Sequence, residues 1–223
     1  MKPVYCIPGL GASVAIFSRL LTQEAVVRPL HLPSPSKGET LDDYVTRLVE
    51  LIDTSQPFSL LGHSFGGILA MEMARLCRPE KLILVSSVKC RGELPWYARL
   101  IGRLRLHRLA PLSCPKYTTP VSLFLNGIKS PEDRTLFKSF AVGRDMALLK
   151  WSLDQTLRWP GCTVPDNLVH VHGTADRLLP ARYVRPDIWI EGGTHFMIVT
   201  RGPEISALLD KLVTDQPVVD LKP

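Results

Sequence analysis

The fold is indicated most strongly by the run of residues 59–70, which reads Ser59-Leu60-Leu61-Gly62-His63-Ser64-Phe65-Gly66-Gly67-Ile68-Leu69-Ala70. Its apolar residues predict a buried strand followed by a buried helix, joined by a sharp turn of the form Gly-x-Ser-x-Gly. Ser64 lies at the tip of this turn, and Gly62 and Gly66 tolerate the crowding around it because they have no Cβ. The turn therefore presents a hydroxyl beside a helix N-terminus, where free N–H groups favour an oxyanion. The alternative is an ordinary glycine-rich turn with an idle serine.

On both sides of this run, apolar segments that predict strands alternate with segments that predict helices. Strands are predicted at 4–7, 26–30, 58–62, 82–86, 168–172 and 188–190. Helices are predicted from Ser13 to about residue 21, from Thr40, after Ser64 and from about Pro203. Because this alternation is typical of parallel sheets, the sequence predicts an α/β fold: a mostly parallel sheet of about six strands with flanking helices. Pro29 places the second strand at an edge of the sheet.

The alternation stops between residues 88 and 160, where helical patterns and prolines occur without a convincing strand. We therefore expect a single domain over residues 1–223, with a helical cap inserted at about 88–160. The insertion leaves the sheet at the carboxyl ends of its strands, so it would cover a site there. We expect Trp96, Phe140 and Trp151 to line an apolar acyl pocket under this cap; packing of the cap onto the sheet is the alternative for such residues.

Three residue types needed for nucleophilic catalysis follow three of the predicted strands. Serine is a weak nucleophile near neutral pH and requires a base, and a histidine base requires a carboxylate to hold its tautomer. Asp176 follows the fifth predicted strand and His195 follows the sixth. Because the carboxyl ends of parallel strands share one edge, both side chains are expected to converge on Ser64.

The chain resembles the α/β-hydrolase superfamily, and in particular its small serine esterases and thioesterases. The resemblance is carried by three motifs, Gly62-His63-Ser64-Phe65-Gly66-Gly67, His172-Gly173-Thr174-Ala175-Asp176-Arg177 and Gly192-Gly193-Thr194-His195-Phe196. It implies that Ser64 is the nucleophile, Asp176 the orienting acid and His195 the base. It also implies an oxyanion hole formed by the backbone N–H groups of Leu10 and Phe65.

Two departures from that family stand out. The first predicted strand corresponds to the strand that is usually third, so the two usual N-terminal strands are expected to be absent. The usual His-Gly of the oxyanion loop is Pro8-Gly9 in this chain. The N–H donors remain, although the histidine that usually braces this loop does not.

The other histidines have simpler interpretations than catalysis. His63 is expected to pack, or to form a hydrogen bond with a neighbouring loop. His170 and His172 alternate on one face of a strand and suggest a metal site with Asp176, but no acidic cluster supports it. We therefore predict no metal and no cofactor.

Composition narrows the class of protein further. The chain contains no run of eighteen apolar residues, so no transmembrane segment is expected. No signal peptide is recognised, and the five cysteines form no CxxC pair. These features predict a cytoplasmic protein.

The positive charge is concentrated in the predicted cap. The formal net charge is +6, and basic residues gather at Arg91, Arg99, Arg103, Arg105, Arg108 and Lys116. This pattern suggests an acidic carrier protein or an anionic lipid surface as a partner, with a solvated helix face as the alternative. No nucleic-acid partner is expected.

Together these features predict a serine hydrolase that cleaves an ester or thioester with an apolar acyl part. Because a fold does not fix a function, two alternatives stay open. One is a carbon–carbon bond hydrolase, a lyase or an enzyme of cofactor-free oxidative chemistry. The other is a binding protein that has the fold without turnover.

Overall fold

The computed structural model describes residues 1–109, 120–140 and 145–217. Six strands form one sheet in the order β2-β1-β3-β4-β5-β6, and each neighbouring pair is parallel. Their bounds are β1 Lys2–Ile7, β2 Ala25–Pro29, β3 Ser59–His63, β4 Lys81–Val85, β5 Leu168–Gly173 and β6 Ile188–Ile190. The predicted α/β class and six-stranded parallel sheet are confirmed, and β2 with Pro29 lies at an edge.

Eight α-helices accompany the sheet within these described residues. They are α1 Leu41–Val49, α2 Phe65–Cys77, α3 Trp96–Arg103, α4 Pro120–Asn126, α5 Pro131–Ser139, α6 Met146–Arg158, α7 Met197–Thr200 and α8 Gly202–Val213. Short 3₁₀ helices span Val14–Phe17, Arg91–Glu93, Leu106–Leu109 and Ala181–Tyr183. The longest of the described helices have 13 residues, and none is long and apolar enough to span a membrane.

The segment after Ser13 differs from its prediction. Instead of a helix to residue 21, it forms one 3₁₀ helix and then a turn, with hydrogen bonds from Ser18 N–H to Ala15 and from Leu20 N–H to Phe17. These i→i+3 bonds close tighter turns than an α-helix and do not extend far. Ile16, Phe17 and Leu20 of this segment are buried.

The sheet is buried on both faces because its strands alternate between two apolar cores. Cys6, Leu61 and Ile83 face a core that includes α7 and α8. Their chain neighbours face the opposite core, which includes α1 and α2. Strands covered on both faces are expected for a parallel sheet.

Residues between β4 and β5 carry α3 to α6, and those that the structure describes contain no strand. One contact holds the cap together internally, and a second ties it to the rest of the fold. Gly102 of α3 packs so closely on α6 that a Cβ would come 2.1 Å from the Leu157 carbonyl oxygen. Beyond α6, the buried indole N–H of Trp159 donates to the Glu72 carboxylate on α2, at 2.7 Å. The cap is thus fastened to α2, the helix that directly follows Ser64.

Candidate active site

Ser64 forms the junction between β3 and α2 and has an unusual backbone. Its φ is 54° and its ψ is −123°, a combination that L-residues rarely adopt. The Ser64 N–H donates to the Val85 carbonyl at 3.1 Å, and the Ser87 hydroxyl donates to the Ser64 carbonyl at 2.7 Å. Hydrogen bonds to the neighbouring strand and its loop therefore hold the strained turn in place.

The two glycines of the turn are required by close backbone approaches. A Cβ on Gly66 would lie 2.1 Å from the Ile7 carbonyl oxygen, and one on Gly62 would lie 2.4 Å from the Gly66 carbonyl oxygen. The crowding that they relieve comes from the backbone at the end of β1 and at the start of α2. Because these two glycines have no side chains, α2 can begin in direct contact with the sheet.

The structure brings the three predicted triad residues together. The Ser64 Oγ lies 2.9 Å from the His195 Nε2, and the His195 Nδ1 lies 2.8 Å from the Asp176 Oδ2. Asp176 and His195 are buried, whereas Ser64 is partly exposed. An unbroken line of hydrogen bonds thus joins a buried carboxylate to an accessible hydroxyl through an imidazole.

Asp176 is held in the form and position that such a line requires. Its Oδ1 accepts the N–H groups of Leu178, at 2.9 Å, and Leu179, at 2.8 Å. Burial raises the pKa of Asp176, but His195 and the other donors outweigh this, so its pKa lies below the ordinary value. The carboxylate is therefore ionised over the neutral range.

The two residues expected to form an oxyanion hole lie on either side of Ser64. Phe65 is the first residue of α2, and Leu10 lies in the turn after β1 and lines the cavity over Ser64. A Cβ on Gly9 would be only 3.0 Å from the Ser64 Cβ, so this turn passes directly beside the serine. Neither N–H group donates a hydrogen bond within the described residues, which leaves both available to a ligand.

A cavity of about 580 Å³ opens over Ser64 and His195. Its walls are mostly apolar and come from the cap, α2 and the loops at the carboxyl edge of the sheet. Phe140 lines it, as expected, and packs against Phe196 with ring centroids 5.9 Å apart. A cavity of this size and lining is suited to a small molecule with an apolar part.

Trp96 and Trp151, expected in this pocket, lie outside its lining. Trp96 is 60% exposed on the outer side of α3. The Trp151 indole N–H donates to the Glu39 carbonyl at 3.0 Å, and its ring packs on Tyr44. Both expectations failed because an aromatic residue type does not indicate which face of its helix turns inward.

Aliphatic residues that the sequence analysis did not single out form much of the cavity wall. On α6 they recur with helical spacing, at Leu149, Leu153 and Leu157. On α3 the lining residues are the aliphatic Ala98 and Ile101 together with Tyr97. A search for i, i+4, i+8 spacing within the cap would have found the α6 set.

Three other histidines close to the triad, His63, His170 and His172, are buried, and burial lowers the pKa of each. His63 Nε2 lies 3.0 Å from the His195 carbonyl oxygen, which agrees with the expected hydrogen bond to a neighbouring loop. Burial lowers the pKa of both His63 and His170 to about 3. His172 Nε2 lies 2.9 Å from the Leu179 carbonyl oxygen and 3.5 Å from the Asp176 Oδ2. Among the described residues, no group of three or more His, Cys, Asp or Glu side chains is placed to hold a metal ion.

A family model described as the alpha/beta hydrolase family matches residues 4–207. The chain belongs to this family. No curated protein matches it significantly.

Solved structures share the fold of this alpha/beta hydrolase at low sequence identity. A thermophilic esterase from Thermogutta terrifontis is 16% identical, with 96% of this chain and 90% of the esterase covered and a TM-score of 0.71. The putative non-heme bromoperoxidase BpoC from Mycobacterium tuberculosis H37Rv is 15% identical, with coverages of 98% and 94% and a TM-score of 0.72. MenH from S. aureus is 15% identical, with coverages of 96% and 94% and a TM-score of 0.71.

The neutral His63 makes the stability of this hydrolase fold depend on pH. Burial lowers its pKa from 6.5 to about 3, so between these values the unfolded chain binds a proton there that the folded chain does not. The free energy of unfolding should therefore fall as the pH falls from about 6.5 towards 3, by at most about 1.4 kcal/mol per pH unit for this residue. Urea denaturation at a series of pH values measures the slope. His63→Gln, which keeps an N–H donor, should show a shallower slope than wild type; parallel slopes would contradict the assignment.

Proposed function

We propose that this alpha/beta hydrolase is a serine hydrolase that cleaves a carboxylic ester or thioester with an apolar acyl part. The observation that supports it best is the line of hydrogen bonds from Asp176 through His195 to Ser64, which ends in an apolar cavity. A nucleophile, a base and an orienting acid in this arrangement are suited to acyl transfer. We propose Ser64, His195 and Asp176 for these three roles.

In the proposed reaction, Ser64 Oγ attacks the carbonyl carbon while His195 Nε2 takes the hydroxyl proton. The leaving alcohol or thiol then accepts that proton from His195, and the acyl group stays on Ser64 as an ester. Water enters, gives a proton to His195 and attacks the acyl-enzyme. The acid is released as Ser64 recovers the proton.

Asp176 acts in this scheme through orientation and charge. Its bond to the His195 Nδ1–H leaves Nε2 free to accept a proton, and its negative charge stabilises the imidazolium that forms. Two backbone N–H bonds on the other carboxylate oxygen hold it in place. Asp176 stays ionised throughout.

We assign the stabilisation of the negative charge that develops on the substrate's carbonyl oxygen to the N–H groups of Leu10 and Phe65. Each donor of this kind contributes about 3 kcal/mol to lowering the barrier. Phe65 adds the partial positive charge of the α2 N-terminus, because it is the first residue of that helix. The substrate's acyl part is assigned to the apolar cavity above.

Ser64→Ala tests the nucleophile. The variant should lose at least about 10³-fold in kcat on p-nitrophenyl esters, because no covalent intermediate can form. A fluorophosphonate probe should add its mass to the wild-type protein and not to the variant, as read by intact-mass analysis. Turnover close to wild type would remove the assignment. If the probe does not label the wild-type protein, the result favours a binding protein without turnover. If the probe labels it but no ester or thioester is hydrolysed, the result favours carbon–carbon bond hydrolysis, lyase activity or cofactor-free oxidative chemistry.

Asp176→Asn tests the orienting acid. The amide should keep the fold, since its oxygen can still accept the two N–H groups, but it favours the wrong His195 tautomer. We expect kcat to fall by about 10⁴-fold. Asp154→Asn is the matched control, because Asp154 also binds a histidine, His107 at 2.8 Å, but within the cap. A similar loss in both variants, or none in Asp176→Asn, would contradict the role of Asp176.

Ile101→Trp tests whether the cavity takes the acyl chain. The larger ring should fill part of the cavity and shift kcat/KM towards shorter acyl chains in a series of p-nitrophenyl esters. Leu100→Trp is the control, since Leu100 directly precedes Ile101 in α3 but is exposed and does not line the cavity. An unchanged preference in Ile101→Trp, or the same shift in both variants, would place the acyl chain elsewhere.

A further inference from the structure

The net charge of the protein is located in one part of the cap. Residues 94–131 contain six Lys and Arg side chains and no Asp or Glu, while the whole chain has a formal net charge of +6. In the rest of the sequence the numbers of basic and acidic side chains are therefore equal. Lys116, one of the six, lies outside the described residues, and the others include Arg99 and Arg103 on α3.

Helix α3 presents two different faces. Tyr97, Ala98 and Ile101 line the cavity over Ser64. The opposite face carries Trp96, Arg99, Leu100 and Arg103, at the i, i+3, i+4, i+7 positions of one helix side. One helix thus separates the candidate active site from a surface of mixed basic and apolar character.

This outer surface exposes groups that a soluble protein usually covers. Trp96 is 60% exposed and Leu100 is 45% exposed. Leu104, Leu106 and Leu109 continue the exposed apolar set just after α3. An exposed apolar patch with a basic border is typical of an interaction site.

The arginines on this surface form no ion pair with any acidic side chain that the structure describes. Arg91, Arg99 and Arg103 surround Trp96 and Leu100 in a shallow depression of about 350 Å³. Within the described residues, Arg99 and Arg103 form no ion pair, and the Nε of Arg99 is buried without a hydrogen-bond partner. By contrast, Arg108 and Arg158 of the same cap both bind Asp154. Arg91 donates a hydrogen bond to the Trp159 carbonyl oxygen. The depression therefore offers the guanidinium groups of Arg99 and Arg103 to an anion, with Arg91 beside them.

We propose that the outer face of α3, with Arg91, docks on a membrane surface that contains anionic phospholipids. Arginine pairs with phosphate oxygens, and tryptophan and leucine side chains enter the boundary between headgroups and acyl chains. An acidic protein would satisfy the charge, but the exposed Trp96 and Leu100 between the arginines favour lipid. Docking itself does not depend on the proposed function; only its consequence, delivery of an acyl substrate to the cavity behind α3, rests on it.

The docking test uses the full chain with Ser64→Ala, so that no hydrolysis is needed. Sedimentation with vesicles of phosphatidylcholine alone is compared with vesicles that also contain phosphatidylserine. We expect binding to the anionic vesicles only, and weaker binding as salt is raised. Adding R99Q and R103Q should lower the partition coefficient about 30-fold, which corresponds to about 1 kcal/mol for each arginine.

Matched controls distinguish binding through this surface from the effects of net charge and of exposed apolar side chains elsewhere. K37Q with K211Q removes the same charge from exposed sites outside the cap and should have a much smaller effect. Trp96→Ser should weaken binding, whereas Leu21→Ser, at an exposed leucine outside the cap, should not. Equal losses in the arginine and lysine pairs, or no binding to anionic vesicles, would overturn the proposal. Binding to polyglutamate without binding to vesicles would overturn it in favour of an acidic protein.

Turnover by the enzyme with Ser64 intact tests the consequence separately. R99Q with R103Q should lower kcat/KM for an ester embedded in anionic vesicles, and leave kcat/KM for a soluble short-chain ester unchanged. An equal loss on both substrates would contradict delivery through this face. Vesicle binding without any hydrolysis would overturn the proposed function and leave the docking site in place.

Discussion

The close approach of α2 to the end of β1 is the constraint on which the site depends. Gly66 meets the Ile7 carbonyl so closely that no side chain fits between them. This approach forces the chain to reverse within a single residue, and Ser64 takes up the reversal with a positive φ. The cost of such a conformation is on the order of 1–3 kcal/mol, and packing on both sides of the turn offsets it. Ser64 is thereby fixed at the carboxyl end of the central strand β3, with the N-terminus of α2 directly after it.

The other groups of the site reach Ser64 because the sheet is parallel throughout. Asp176 follows β5 and His195 follows β6. Both loops therefore begin at the carboxyl ends of their strands, on the same side of the sheet as Ser64. Buried hydrogen bonds then limit how far each can move. His63, whose pKa is lowered by burial, contacts the backbone of His195, and His172 contacts the loop that follows Asp176. Neutral histidines add hydrogen-bonding groups here without placing further charge beside the Asp176 carboxylate.

The sequence predicted the parts of this arrangement that depend on local pattern. Apolar periodicity located the six strands, and short motifs at the strand ends located Ser64, Asp176 and His195. The structure places His195 within hydrogen-bond distance of both Ser64 and Asp176. Periodicity did not distinguish the 3₁₀ helix after Ser13 from an α-helix, since both bury the same residues. The cap was the least predictable part. Which side of α3 or α6 turns inward depends on long-range packing, so Trp96 and Trp151 were misplaced, while Leu153 and Leu157 were overlooked. The assignment of the Leu10 and Phe65 N–H groups stays a prediction.

Gly102 sets the rotation of α3 about its own axis. Its bare backbone lies against the Leu157 carbonyl, and this contact leaves one orientation in which the two helices fit. Each residue of an α-helix turns the next by roughly 100°. Inserting or deleting one residue between Trp96 and Gly102 would therefore turn the preceding part of the helix by that angle, bringing basic side chains towards the cavity and aliphatic ones towards solvent. The number of residues between Trp96 and Gly102 therefore decides which side chains face the cavity, although the contact that enforces it is made by a residue with no side chain.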